Sequence, residues 1–255
     1  MNKKTAKELI LNARGQLIGR YGQAILVIIV ALVLNWLVGS FADLAYTGTL
    51  GSYFFRFIIL IIIDLLLGVL SFGKDRYFLS LARGIQGLSP ADLFYGIKNS
   101  TDKAICLQAV YTLASVISVI PSVYLGFFVV LTDKQAATAG LLIKLFALII
   151  IIVVKMFFGL CFYILADRPE LSFKEILVES NRLMTGNRLK FLFIVLRMIP
   201  LMILGCLAFG FGIFWPVALY QSSLANLYLD TIGEEPYNPL TREEPKETGT
   251  SQPLI

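Results

Sequence analysis

Two side chains sit where charge is expensive. Asp64 and Lys155 each fall near the middle of a long apolar run, and an unpaired charge at the centre of a bilayer costs several kcal/mol. Charged residues that persist in such places face the inside of a helix bundle and find partners there. The expectation is that Asp64 and Lys155 approach each other, directly or through water. Such a contact would serve as an ion or proton relay, or as a structural ion pair fixing how two spans pack. Arg197 is a third intramembrane cation, roughly mid-span in its own run. It would snorkel along its stem toward the cytoplasmic face or touch an anionic lipid head. Gln108 and Asn35 could donate interhelical hydrogen bonds worth about 0.6–2 kcal/mol.

Little else in the chain can do chemistry. Histidine is absent, which removes the commonest proton shuttle and metal ligand together. Cys106, Cys161 and Cys206 have no ligand spacing and read as small packing residues. There is no phosphate-cradling glycine loop and no nucleophile elbow. Only one carboxylate lies deep, so paired-acid chemistry has no second member. The expectation is a protein that is not an enzyme and holds no cofactor and no metal.

The elements that position these residues are membrane spans. Of 255 residues, 57% are hydrophobic, with mean hydropathy +0.78, and they come in runs such as 57–70 and 145–154. Runs of that length match a bilayer as solvent. The predicted fold class is all-α: a polytopic membrane protein with six transmembrane helices, at 22–38, 53–72, 104–131, 138–165, 189–208 and 213–229. Pro121 would bend the third span. The fifth and sixth are short and joined by uncharged Phe209-Gly210-Phe211-Gly212, which fits a tight hairpin or a re-entrant pair.

Three polar stretches precede the three pairs of spans. Thr5…Glu8, Ser89…Asp92 and Ser172…Glu175 each have the form of a helix-capping box, with Pro90 at a first helical position. Leu9, Ile10, Ala13, Leu17 and Ile18 recur at helical spacing in the first, and Phe173, Ile176, Leu177, Leu183 and Met184 in the third. Apolar stripes opposite lysine and arginine describe amphipathic helices lying in a membrane surface. A nucleic-acid patch is disfavoured, because stacking aromatics are missing and a span follows at once.

Charge placement orients the chain. The net charge is +5. Lys4, Lys7, Arg14, Lys74, Arg76, Arg83, Lys98, Arg168, Lys174, Arg182 and Lys190 fall in the proposed inner segments, and the outer links hold only Lys134. By the positive-inside rule both termini are cytoplasmic. The expected organisation is a single membrane domain, 1–230, built of units 5–73, 89–166 and 172–230 in one orientation. That is a parallel repeat about an axis along the membrane normal. Residues 231–255, rich in proline and acidic clusters, read as a disordered cytoplasmic tail able to meet a basic partner. A cleaved signal peptide is not expected at the N-terminus.

The chain also resembles a known family. Leu165-Ala166-Asp167-Arg168-Pro169-Glu170-Leu171-Ser172, Gly186-Asn187, Gly205, Gly210-Phe211-Gly212 and Trp215-Pro216 carry the likeness, with Tyr21-Gly22-Gln23-Ala24-Ile25 and Leu81-Ala82-Arg83-Gly84. They are similar to the bacterial integral-membrane domain of unknown function number 975, over most of Thr5 to Asp230. Where the family often has tyrosine after this proline turn, Val217 stands here. The resemblance implies a multi-spanning bacterial plasma-membrane protein. A more distant similarity is to the membrane domain of some glycerophosphodiester phosphodiesterases. Neither brings catalytic residues.

Two roles are consistent with these features. One is a non-enzymatic scaffold or accessory protein acting through membrane lipids, anionic ones included, or through a protein partner met by the surface helices or the tail. The other is a transporter or permease for a small or lipidic solute, suggested by Asp64, Lys155, Pro121 and the short last spans.

Overall fold

In a bilayer a segment must satisfy its own backbone, which leaves the helix as the element for apolar runs such as these. The computed structural model describes residues 4–43, 47, 49–128, 132–207 and 211–237. Among them every regular element is helical. The order is α1 (Ala6–Leu17), α2 (Tyr21–Asp43), α3 (Leu50–Ala82), a 3₁₀ turn (Pro90–Phe94), α4 (Tyr95–Lys98), α5 (Thr101–Phe128), α6 (Asp133–Phe158), α7 (Cys161–Asp167), α8 (Phe173–Met184), α9 (Arg188–Leu207), a 3₁₀ turn (Phe211–Ile213) and α10 (Phe214–Ile232).

Five stretches are long and apolar enough to cross a membrane: Tyr21–Phe41, Gly51–Ala82, Thr101–Leu125, Lys134–Asp167 and Arg188–Leu207. Their outward faces are apolar, with Trp36, Phe54, Leu142 and Leu207 exposed. The stretch expected as a sixth span, 213–229, forms α10 but is not among the five. The reason lies in its composition: Gln221, Ser222, Ser223 and Asn226 lower its hydropathy, and the bundle keeps all four buried.

Three boundaries differ from the sequence reading. The second span was expected to end at Phe72, yet α3 runs on to Ala82, because Tyr77, Phe78, Leu81 and Ala82 are buried against the rest of the bundle. The fourth was expected to be continuous, yet the helix breaks after Phe158 and restarts at Cys161. The second surface helix is only the 3₁₀ turn and the single turn of α4. Its brevity comes from how tightly it sits on α3. Gly73 of α3 faces the carbonyl oxygen of Leu93, where a Cβ would collide, and a Cβ on Gly96 would lie 2.7 Å from the carbonyl of Val69. Ser100, at φ 58°, ends the segment. Of the expected tail, 238–255 lies outside the described residues, as does Phe209-Gly210 between the last two helices.

All three capping boxes form. Glu8 accepts from the Thr5 N–H at 2.7 Å, Asp92 from Ser89 at 2.9 Å and Glu175 from Ser172 at 2.8 Å. Comparable boxes, Thr49…Ser52 and Thr132…Gln135, start α3 and α6; the sequence reading did not name them.

The packing is cyclic. Each helix pair is internally packed, α2 on α3, α5 on α6 and α9 on α10. The short segment before each pair docks on the second helix of the pair before it: the 3₁₀ turn on α3, α8 on α6 and α7, and α1 on α10. The first long helix of each pair does likewise, with α5 on α3, α9 on α6 and α2 on α10. The ends of α3, α7 and α10 meet at Arg83. Its guanidinium donates to both oxygens of Glu234, at 2.8 and 2.7 Å, and to Asp167 at 2.7 Å, and Tyr228 donates to the other Asp167 oxygen at 2.9 Å. Burial alone would disfavour the Arg83 charge, but the bonds to Glu234 and Asp167 outweigh it and hold its pKa above the ordinary range.

Two outcomes follow. Gly73→Ala should destabilise the protein by about 1–3 kcal/mol through overpacking, seen as a lower melting temperature in detergent. Gly51→Ala, on the open start of the same helix with nothing within 4 Å, should leave the melting temperature unchanged or raise it. The bonds from Thr5 and Ser172 hold the carboxyls of Glu8 and Glu175 below their usual range. A lowered carboxyl contributes fully above its unfolded pKa of about 4.3 and loses that contribution as pH falls through the lowered value. Amide protection at the starts of α1 and α8, measured against mid-helix amides, should therefore fall on acidification, and Glu8→Gln should remove the effect from α1.

Candidate functional site

The cavity between α3, α5, α6 and α10 begins with a helical register. Ser71, Lys74 and Asp75 stand at i, i+3 and i+4 on α3, which puts them on one face. That face opens on a cavity of about 200 Å³. Gln108, Tyr111 and Ser115 reach it from α5, Lys155 from α6 and Gln221 from α10, while Phe162, Phe191 and Leu224 supply apolar wall. A second chamber of about 540 Å³ adjoins it between α2, α3 and α10. Ser71, Lys74 and Gln221 belong to both walls. Apart from these and Asn35, the second chamber is apolar, lined by Ile28, Leu32, Trp36, Leu67 and Val217.

The charges in the smaller chamber are unbalanced. Lys74 and Lys155 face one carboxylate, Asp75. The Lys74 ammonium is 3.9 Å from Asp75 Oδ1, within ion-pair range but beyond a hydrogen bond. That oxygen is buried and accepts no hydrogen bond, and an acceptor left so costs about 1–3 kcal/mol. The Lys155 ammonium lies 5.9 Å from the Tyr220 ring, at the outer limit of a cation–π contact. The site can therefore take an anionic group against the two ammoniums and a hydrogen-bond donor against Asp75.

The expected meeting of Asp64 and Lys155 does not occur. The Asp64 carboxylate accepts from Thr112 Oγ1 at 2.6 Å and from Gln108 Nε2 at 3.3 Å, both on α5. The two helices can come this close because Gly68, one turn along from Asp64, lies against the Gln108 stem, where a Cβ would clash. Asp64 is thus a clamp between α3 and α5, and the acid that faces Lys155 across the cavity is Asp75. Arg197 is elsewhere, in a groove with Lys7 and Arg14. Lys74, Asp75 and Gln221 were missed. Ending the second span at Phe72 turned Lys74 and Asp75 into loop charges, although the apolar residues Tyr77 to Ala82 beyond them signalled a continuing helix.

Among the described residues no group of three or more Cys, Asp or Glu side chains is placed to hold a metal ion. The family described as Protein of unknown function (DUF975) matches residues 1–235. The chain belongs to that family. No curated protein and no solved structure matches it, and the more distant likeness to the phosphodiesterase membrane domain is not shown.

Asp64→Asn retains an acceptor for Thr112 and should keep the folded protein in good yield. Asp64→Leu should cost about 1 kcal/mol for each lost interhelical bond, read as a lower melting temperature.

Proposed function

We propose that the protein takes an amphipathic, anion-headed solute into the paired chambers from the surrounding lipid. This is the transporter or permease role for a lipidic solute. The observation that carries it is the pair of chambers across a shared wall: a small one where two ammoniums meet an unanswered carboxylate oxygen, and a larger one lined mostly by apolar side chains. A head bearing an anionic oxygen and a hydroxyl or ammonium suits the first, and an apolar tail suits the second. The scaffold reading has in its favour the exposed apolar residues of the surface segments, Leu11, Ile18 and Val178, where a protein partner or lipid would dock; it leaves the chambers without a use. Neither role requires bond-making chemistry, and the protein is taken as non-enzymatic.

The finer layout belongs to this proposal. The Lys4 N–H is 2.9 Å from Asp230 Oδ1, so both ends of the chain's helical part share one side of the membrane. The number of crossings between them is then even, and α10 supplies the sixth beside the five apolar spans. The packing of three like pairs in a cycle supports three units in one orientation. The basic residues at the Lys4–Asp230 side argue that this side is cytoplasmic and the membrane a bacterial plasma membrane.

The test is chemical. Protein purified in a mild detergent should release, on solvent extraction, an anionic amphiphile at close to one per chain. Lys155→Met and Asp75→Asn should each lower its occupancy about tenfold or more, since a hydrogen bond to a charged group contributes about 1.5–3 kcal/mol. Asp64→Asn should leave it unchanged. Equal occupancy in wild type and Lys155→Met would sink the proposal.

A further inference from the structure

A second basic site lies outside the chambers. We propose that the groove between α1, α9 and α10 binds the phosphate head of an anionic phospholipid. The groove is about 340 Å³ and shares no lining residue with the chambers. Lys7 and Arg14, seven residues apart and so on one face of α1, line it with Arg197 of α9. The rest of its wall is apolar, with Ile10, Pro200, Leu201 and Trp215 among it.

No carboxylate answers these cations. Among the described residues, Lys7, Arg14 and Arg197 are all exposed and none has an acid within ion-pair distance. Nearby cations of the same membrane side are treated differently: Lys190 holds Asp230 at 2.8 Å, and Arg83 holds Asp167 and Glu234. Snorkelling accounts for one isolated arginine. It does not account for Arg197 of α9 lining one otherwise apolar groove with two cations of α1 and no acid, an imbalance of charge. A bound anion offsets it.

The groove's shape chooses among anions. Its apolar floor beside the cations, with the half-exposed Trp215 indole in its wall, fits acyl chains below a phosphodiester. A zwitterionic head would bring an ammonium for which the lining offers no acid. The acceptable head therefore carries net negative charge.

The experiment is native mass spectrometry of the full chain in mixed micelles of equimolar phosphatidylglycerol and phosphatidylcholine. Wild type should retain phosphatidylglycerol preferentially. Arg14→Gln with Arg197→Gln should weaken that retention about tenfold or more, each cation near the surface contributing about a factor of five, with phosphatidylcholine unaffected. Arg14→Lys with Arg197→Lys should restore most of it. The three groove cations are exposed, and unchanged melting temperatures would show the variants folded. Were the glutamine variant to misfold, titration of wild type with each lipid, together with the lysine variant, decides alone. Equal retention of both lipids by wild type overturns the proposal, and so does undiminished retention by a folded glutamine variant. Carbodiimide coupling of Lys7 to Glu243 or Glu244 in lipid-replete wild type also overturns it, since the chain's own acidic segment would then occupy the groove.

Discussion

A polar side chain inside a bilayer has no water in reserve, so its partners must come from the protein itself. A helix buried within the bundle meets the same demand: α10 carries four buried polar side chains and packs at the centre. Asn226 and Gln16 exchange amide hydrogen bonds at 3.0 Å in both directions, and Ser222 donates to the same Gln16 oxygen. Gln16 also donates to the carbonyl of Tyr237 at 2.8 Å, while the Tyr237 N–H donates to Ala82. One buried knot thus fastens α1, α10, the end of α3 and the segment after α10. The cycle of helix pairs closes at this knot, and Arg83 repeats the closure one layer outward.

The same requirement explains why the chambers are conspicuous. Around Gln16 and Asn226 every donor finds an acceptor nearby, and around Asp64 the acceptors are filled by Thr112 and Gln108. Asp75 is one of five described residues with a buried side-chain atom left open, beside Tyr21, Tyr77, Asn187 and Arg188, and it is the one carboxylate among them. Of the five it is the one that lines a chamber, where two lysines stand beside it. The glycines reinforce the contrast. Gly68 and Gly73 seal α3 against α5 and the 3₁₀ turn, whereas from Ser71 to Asp75 the same helix lines open space shared with α5, α6, α2 and α10.

Much of the architecture was legible in the sequence because its signals are local. Capping boxes depend on two side chains three residues apart, and apolar runs depend on composition alone, so both were read with their residues correctly named. What was lost depends on partners far away in the chain. Asp64 has an acceptor's appetite that Gln108 and Thr112 satisfy as well as a lysine would, and nothing near Asp64 says which is closer. The length of α3 is set by what buries Tyr77 and Phe78, and the brevity of the second surface segment by the backbone it must touch at Gly73. The polarity of α10 lowered its apolar signal for the reason that makes it central.

The Gln16–Asn226 contact joins residues 210 positions apart, with a consequence for synthesis. α1 leaves the ribosome well before its docking partner α10. Until α10 is made, the face of α1 bearing Leu9, Ala13, Gln16 and Leu17 has no seat, and the membrane surface is the one medium that can shelter its apolar part. Maturation therefore includes a late, long-range docking step, and until then the helix pairs made so far are unlatched.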